Sequence, residues 1–159
     1  MIEGVQIKSL KLLRDDRGFL MELLRADDEL FERFGQVYIT GCRRGMAKAW
    51  HYHTLQTDHF ACVSGRALLV LCDLRAGSAT RGQSQELVLE APPNTTHPPL
   101  LVKIPPLVIH GFTALDCDEA RIVNVPTETY RYDDPDERRY PWNSPEVPYR
   151  WPEFVKAGG

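Results

Sequence analysis

Short apolar runs recur along most of the chain, and glycines and prolines separate them. Twelve prolines and eleven glycines punctuate these runs, which is typical of an all-β sandwich or barrel. The pattern predicts turns at Ser64-Gly65, Ala76-Gly77-Ser78, Pro92-Pro93-Asn94 and Pro105-Pro106. It predicts strands at residues 5–10, 19–24, 36–41, 47–53, 57–63, 66–74, 86–90, 100–104, 111–114 and 120–125.

Two segments depart from this strand pattern. Residues 26–34 predict one short helix, because two acidic residues lie near its start, Leu30 and Phe34 are spaced i, i+4, and Gly35 follows. The tail from Thr127 onward is predicted to be an ordered, irregular wrap, since its aromatic side chains carry too much apolar area to stay in water. We expect these aromatics to cover a barrel end or a dimer contact. They are Tyr130, Tyr132, Tyr140, Trp142, Tyr149 and Trp151.

Length and charge restrict the classes of function. A chain of 159 residues is the size of one ordinary domain, so we expect a single domain over residues 1–159. The net charge of −3 supplies no basic field for a polyanion, which argues against nucleic acid and membrane as partners. The N-terminal segment has no long apolar run, so no signal peptide is predicted and a cytoplasmic location is expected. The cysteines are then expected to be reduced thiols; they are Cys42, Cys62, Cys72 and Cys117.

Four side chains capable of binding a metal form the main candidate site: His51, His53, Asp58 and His110. Their spacing resembles the two cupin motifs, with an aspartate where that family usually has glutamate. The two histidines of the first motif are two residues apart on a predicted strand, so both leave the same face. Three imidazoles and one carboxylate suit Zn²⁺, Mn²⁺, Fe²⁺ or Ni²⁺. The alternative is that some of these groups are hydrogen-bonded structural residues. His59 and His97 lie outside the pattern and are interpreted as surface residues.

Five stretches in order resemble the dTDP-4-dehydrorhamnose 3,5-epimerase family, the sugar-nucleotide branch of the cupins. They are DDRGFLMEL, WHYH with the following Gln56, VSGRALLVLCDLRAGSAT, IPPLVIHGF and PDERRYPWNSPEVPYRWP. The resemblance implies a cupin jelly-roll β-barrel, which here would carry the one short helix and the aromatic tail, and it implies a homodimer. It also implies proton abstraction beside the ketone of a 4-keto-6-deoxy sugar nucleotide, with reprotonation from the other face.

Matched to the family position by position, His51 corresponds to the catalytic base and His110 to the active-site histidine of the HGF motif. Arg17, in the RGF motif, corresponds to an arginine that contacts the nucleotide phosphates. Lys48 corresponds to a phosphate-binding arginine, and it keeps the charge but loses the bidentate fork. The same motifs add Phe19 and Gln56 to the expected substrate-binding residues; the full set is Arg17, Lys48, Phe19 and Gln56.

Other family positions are changed. The active-site lysine corresponds to Asp58, the catalytic tyrosine to Val123, and a glutamine to His53. The aspartate that pairs with the base histidine has no counterpart at the expected place. A carboxylate beside a developing enolate repels it. The changes to His53 and Asp58 complete a metal-binding set, in which a divalent ion could take over the work of the lysine.

Three hypotheses follow from the residues and the resemblance. The first is an epimerase or isomerase acting on a 4-keto-6-deoxy sugar nucleotide in polysaccharide or deoxysugar biosynthesis, which needs no cofactor. The second is a metal-dependent cupin enzyme acting on another small substrate, in which His51 becomes a ligand and is lost as a base. The third is a non-catalytic sugar-nucleotide-binding cupin. Tyr38, Tyr130 and Tyr132 are possible acids that sequence does not place, and the charged run 133–139 is interpreted as a solvated loop.

Overall fold

The computed structural model describes residues 1–93 and 95–159. Asn94, the last residue of one predicted turn, lies outside this range. The described part of the chain holds thirteen strands and no helix, so the predicted all-β architecture is confirmed. The strands are β1 Gln6–Ser9, β2 Leu12–Asp15, β3 Gly18–Met21, β4 Tyr38–Arg43, β5 Met46–Tyr52, β6 Asp58–Ser64, β7 Arg66–Cys72, β8 Ser84–Glu90, β9 Leu100–Ile104, β10 Ile109–Ala114, β11 Glu119–Asn124, β12 Arg138–Arg139 and β13 Ala157–Gly158.

Two sheets enclose the core. One has the order β1-β9-β6-β11-β4, and the other has the order β12-β5-β10-β7-β8, with β13 added beside β5. The pairings within both sheets are antiparallel, except that β13 runs parallel to β5. Apolar side chains from both sheets meet between them, among them Phe60, Leu69, Val102, Phe112 and Ile122. Several strands are buried at nearly every position, which explains why continuous apolar runs between glycines and prolines located most strands.

The predicted helix at 26–34 is wrong. Isolated turns replace it, with Asp28 N donating to Arg25 O and Phe31 N donating to Asp28 O. The carboxylate of Asp28 accepts hydrogen bonds from the Arg25 amide and from the Lys8 ammonium. Such side-chain bonds compete with the backbone bonds of a helix. Phe34 is 64% exposed and forms no apolar stripe with Leu30. A helix of two turns is marginal without such a stripe.

The C-terminal tail is irregular and packs its later aromatics, from Tyr140 onward, on the outer face of the second sheet rather than on a barrel end. Tyr130 and Tyr132 do not take part in this cover and are 40% and 91% exposed. Trp50 on β5 is 1% exposed, stacks on Trp151 at 4.9 Å between ring centroids, and meets Tyr149 edge-on at 5.9 Å. Its indole Nε1 donates to the Trp142 carbonyl at 3.0 Å. The tail therefore anchors one face of β5, while the neighbouring residue His51 faces the other way. No helix within the described residues has the length and apolar character needed to cross a membrane.

One histidine interpretation is also wrong. His59, expected at the surface, is fully buried on β6. Its ring nitrogens lie 2.8 Å from the Val125 carbonyl and 2.9 Å from the Leu30 carbonyl. These contacts connect the turns at 26–34 to the first sheet. The role of the His59 imidazole is therefore structural. His97 is exposed, as expected.

Candidate functional site

A cavity of about 610 Å³ opens between the sheets. Its walls come from β4, β5, β10 and the segment 128–139 of the tail. Among the residues that line it are Thr40, Lys48, His51, His53, Gln56 and His110. The structure therefore brings into one cavity all but three of the residues singled out for the site, namely Asp58, Arg17 and Phe19.

The pairing of β5 with β10 sets the centre of the site. His51 lies opposite His110 across this ladder, with ring centroids 6.3 Å apart. A Cβ added to Gly111 would lie 2.4 Å from the Cβ of Ala49, so glycine is required for the close approach of the two strands. The ladder shifts register between His110 and Phe112 at this glycine. Within the HGF motif, the glycine thus allows the two strands to approach closely, and the histidine supplies a side chain to the site.

Three of the four predicted ligands converge. The side chains of His53, Asp58 and His110 each offer one ligand atom, and these atoms lie within 4.8 Å of one another. Asp58 Oδ2 is 3.4 Å from His53 Nε2 and 3.5 Å from His110 Nε2. Asp58 is 1% exposed and His110 is 4% exposed. We call these three residues the buried triad. Burial lowers the pKa of His110 to about 4, so its imidazole is neutral at pH 7.

His51 has a different partner. Its Nδ1 lies 3.2 Å from Oε1 of Glu137, and both side chains are about four-fifths buried, with exposures of 18% and 20%. The hydrogen bond from His51, helped by the charge of Arg139, lowers the pKa of Glu137 to about 2. The carboxylate that sequence comparison found missing is therefore replaced from another part of the chain. The interpretation of 133–139 as a solvated loop is wrong at its second half.

The neighbouring Asp136 explains why this segment turns inward. Its carboxylate accepts hydrogen bonds from the Thr54 hydroxyl and from the backbone amides of Thr54, Leu55 and Gln56. Burial alone would raise the pKa of Asp136, but these bonds outweigh it and lower the pKa to about 2. The backbone carbonyl of Asp136 also lies 2.6 Å from His53 Nδ1. Asp136 thus fastens the tail to the loop after β5, and β12 then pairs with β5 beside His51.

A polar network extends from the triad to a tyrosine. Asp58 Oδ1 accepts bonds from Gln56 Nε2 and Asn124 Nδ2, both at 2.7 Å. Asn124 Nδ2 also donates to the Tyr38 hydroxyl at 2.9 Å. Burial, with the charge of Asp58, raises the pKa of Tyr38 to about 12. Tyr38 lines the cavity, as do Tyr130 and Tyr132, but Tyr132 is 91% exposed.

Two expected substrate contacts lie elsewhere in the chain. Arg17, in the turn between β2 and β3, has its side chain 90% exposed and paired with Asp15 at 2.6 Å. Phe19 on β3 is 46% exposed. Neither lines the cavity of its own chain. Lys48 does line it, and its ammonium donates to the Thr40 hydroxyl at 2.8 Å.

Comparison with protein families gives a match over residues 1–157 to the model described as dTDP-4-dehydrorhamnose 3,5-epimerase. The spore coat polysaccharide biosynthesis protein SpsL of Bacillus subtilis is 38% identical over 151 residues, covering 95% of this chain and 97% of its own. The probable low-salt glycan biosynthesis epimerase Agl13 of Haloferax volcanii is 34% identical over 152 residues, covering 94% of both chains.

Solved structures agree with this family. A dTDP sugar isomerase from Desulfovibrio desulfuricans G20 superposes with a TM-score of 0.85 at 31% identity, covering 94% of this chain and 92% of that one. An RmlC from Legionella pneumophila, solved with dTDP-4-keto-L-rhamnose, gives 0.80 at 26% identity, covering 98% and 84%. The resemblance drawn from five sequence stretches is confirmed, and so is the cupin-type barrel it implied, without the helix.

Proposed function

Because the chain belongs to the dTDP-4-dehydrorhamnose 3,5-epimerase family, we propose that it epimerises a 4-keto-6-deoxy sugar nucleotide in polysaccharide biosynthesis. The observation that carries this proposal is the His51–Glu137 pair at 3.2 Å in the wall of the cavity. A base supported by a carboxylate is what proton abstraction beside a ketone requires. The non-catalytic alternative relied in part on the missing partner of the base, and Glu137 removes that reason.

In the proposed step, His51 takes a proton from the carbon next to the C4 ketone. The electron pair of the broken C–H bond forms a C=C bond, and the carbonyl pair moves to oxygen to give an enolate. Nδ1 of His51 donates to Glu137, so Nε2 is the atom that accepts the proton. Glu137 holds the ring in that tautomer and stabilises the imidazolium that forms. Return of a proton to the opposite face of the carbon completes the inversion.

We propose Tyr38 as the group that returns this proton. Its hydroxyl lines the cavity and accepts a bond from Asn124, which leaves its own O–H free to donate toward substrate. It lies on β4 of the first sheet, whereas Glu137 precedes β12 of the second sheet, so the two groups enter the cavity from different sheets. Tyr38 would thus replace the family tyrosine whose position is occupied by Val123. For the diphosphate of the substrate we propose Lys48, which lines the cavity. Gln56 lines it too, but its amide nitrogen is engaged with Asp58 and His53.

The substrate roles of Arg17 and Phe19 require a second chain. The hairpin β2–β3 exposes Leu13, Phe19 and Leu20 by 48%, 46% and 55%. We propose that a homodimer covers this hairpin, so that these two residues serve a pocket across the interface. Light scattering of the wild type and of Leu20→Glu tests this point, with a dimer expected for the former and a monomer for the latter. The cytoplasmic location stays a prediction.

Solvent exchange tests the activity directly. Incubation of the purified protein with dTDP-4-keto-6-deoxyglucose in D₂O should place deuterium beside the ketone, detected by mass spectrometry and proton NMR. His51→Asn should lower the exchange rate by about 10³-fold, within the range for loss of a general base. His97→Asn, at an exposed histidine outside the site, is the matched control and should exchange as fast as the wild type. Equal exchange by wild type and His51→Asn would contradict the proposal.

The second candidate is a metal-dependent reaction on another small substrate. The observation that favours it is the convergence of His53, Asp58 and His110, which stands independently of the His51–Glu137 pair. This candidate predicts turnover that chelators abolish and that does not need a 4-keto sugar nucleotide. Retention of full exchange activity on the sugar nucleotide after chelation would count against it.

A further inference from the structure

We propose that the buried triad binds one divalent transition-metal ion and that His51 is not among its ligands. The two distances that define the triad, 3.4 Å and 3.5 Å, join the Nε2 atoms of His53 and His110 to the same Oδ2 of Asp58. Bonds of about 2.0–2.2 Å to one ion place neighbouring ligand atoms roughly 3–3.6 Å apart. Both separations from Asp58 Oδ2 already have this spacing, and the two Nε2 atoms lie within 4.8 Å of each other. Two imidazoles and one carboxylate are the ligand types of Zn²⁺, Mn²⁺, Fe²⁺ and Ni²⁺.

The positions of the imidazole protons carry the inference. Nδ1 of His53 lies 2.6 Å from the Asp136 carbonyl, and Nδ1 of His110 lies 3.1 Å from the Val108 carbonyl. A carbonyl oxygen only accepts, so each Nδ1 must hold the proton, and in a neutral ring Nε2 is then a bare lone pair. Backbone carbonyls that hold Nδ1–H in this way are the usual support of metal-binding histidines.

Three lone pairs therefore face one another in a buried space. His110 Nε2 and Asp58 Oδ2, 3.5 Å apart, receive no hydrogen bond from the described residues and repel each other unless a cation lies between them. Gln56 Nε2 donates to Asp58 Oδ1 and to His53 Nε2, at 2.7 Å and 3.2 Å, and leaves Oδ2 open. An ion at the triad would replace the longer of these two bonds.

Excluding His51 removes a conflict in the metal hypothesis. A histidine bound to an ion cannot serve as a base, but neither ring nitrogen of His51 belongs to the set of ligand atoms that lie within 4.8 Å of one another. His53 and His110 both line the cavity, so the open side of the triad faces the space where substrate would lie. If the proposed function holds, an ion here would polarise the C4 ketone from the position where the family has its lysine. Ion binding itself does not depend on that function.

Metal titration of the stripped protein tests the site. Protein treated with EDTA and dialysed should bind one Zn²⁺ or Co²⁺ per chain by calorimetry, and the Co²⁺ form should absorb in the visible. Asp58→Asn and His53→Gln should each weaken binding at least about 100-fold. His51→Asn is the matched control for ligation and should bind as the wild type does. Zn²⁺ should raise the melting temperature of the wild type but not that of a folded Asp58→Asn.

Two results would overturn the metal site. One is the absence of stoichiometric binding by the stripped wild type to Zn²⁺, Co²⁺, Mn²⁺, Fe²⁺ and Ni²⁺. The other is binding by Asp58→Asn and His53→Gln that equals the wild type. The proposed function fails separately, if the metal binds as described but the loaded protein exchanges no deuterium into the sugar nucleotide. If the stripped protein exchanges deuterium into the sugar nucleotide at full rate and also fails to bind any of these ions in the titration, only the metal site is overturned.

Discussion

Asp58 and Asp73 are both shielded from solvent, with exposures of 1% and 0%, but their surroundings differ. Asp73 is surrounded by donors from the loop that follows it. Its two oxygens accept five bonds from Arg75, Ser78 and Thr80, at 2.5–3.0 Å. The hydrogen bonds from Arg75 in particular hold the pKa of Asp73 well below its ordinary value.

Asp58 is satisfied on one oxygen only. Oδ1 accepts from Gln56 and Asn124, while Oδ2 faces two imidazole nitrogens that have placed their protons elsewhere. A protein that needed a buried carboxylate only for stability would complete its hydrogen bonds, as it does at Asp73. The difference teaches that burial of a charged group does not by itself identify a binding site. A binding site is indicated by a buried carboxylate oxygen that faces other acceptors instead of donors.

The largest effect is expected at the structural aspartate. Asp73→Ala removes the acceptor of a buried ion pair and leaves the Arg75, Ser78 and Thr80 donors without it, so the free energy of unfolding should fall by about 3 kcal/mol. Urea denaturation measures this loss. Zn²⁺ binding per folded molecule should stay unchanged. A loss below about 1 kcal/mol would mean that Asp73 is not the structural counterpart described here.

Next in size is the carboxylate that serves the base. Glu137→Gln keeps the shape but loses the charge that stabilises a protonated His51, so the deuterium exchange rate should fall about 100-fold. Stability should fall as well, because the pair is about four-fifths buried and its hydrogen bond holds the pKa of Glu137 below the ordinary value, so the exchange rate is compared per folded molecule. An exchange assay with a parallel melting curve separates these effects. Unchanged exchange would remove Glu137 from the catalytic pair.

The pH dependence of stability gives a smaller effect with a defined sign. The folded-state pKa of Asp73 lies below its ordinary 3.8, so its stabilisation is complete above that value and is lost as the pH falls toward the folded pKa. Between pH 5 and pH 3 this loss should be about 1 kcal/mol in the wild type. Asp73→Asn should lack this part of the slope, as urea denaturation at each pH would show. Parallel slopes for the two proteins would contradict the assignment.

The smallest effect is expected at Asp58 in metal-free protein. Asp58→Asn can keep the bonds from Gln56 and Asn124 to its oxygen, and its new amide N–H can donate to an imidazole Nε2. The free energy of unfolding should therefore change by less than about 1 kcal/mol, or rise. Urea denaturation in EDTA checks this. A loss as large as that of Asp73→Ala would show that Asp58 is a structural carboxylate after all.

The sequence predicted the strands well because buried strands form apolar runs and the turns between them carry glycine and proline. It also predicted that His51 and His53 share a face, and both line the cavity. It failed at 26–34, where acidic residues and spaced apolar residues looked like a helix although Asp28 binds Lys8 across the fold. Local pattern alone does not show which long-range partner will take a side chain.

Local sequence by itself determined that this chain forms a β-barrel, that His51 and His110 lie on strands, and which family it belongs to; His53 was predicted on the same strand as His51 but follows its end at Tyr52. The tertiary structure alone decided which of these side chains act together. Glu137 reaches His51 from 86 residues away, because Asp136 fastens the tail to the loop after β5 and β12 then pairs with that strand. The same folding directs two imidazole protons to backbone carbonyls and leaves the buried triad facing inward. Such pairings depend on hydrogen bonds between distant segments, which no periodicity along the chain records.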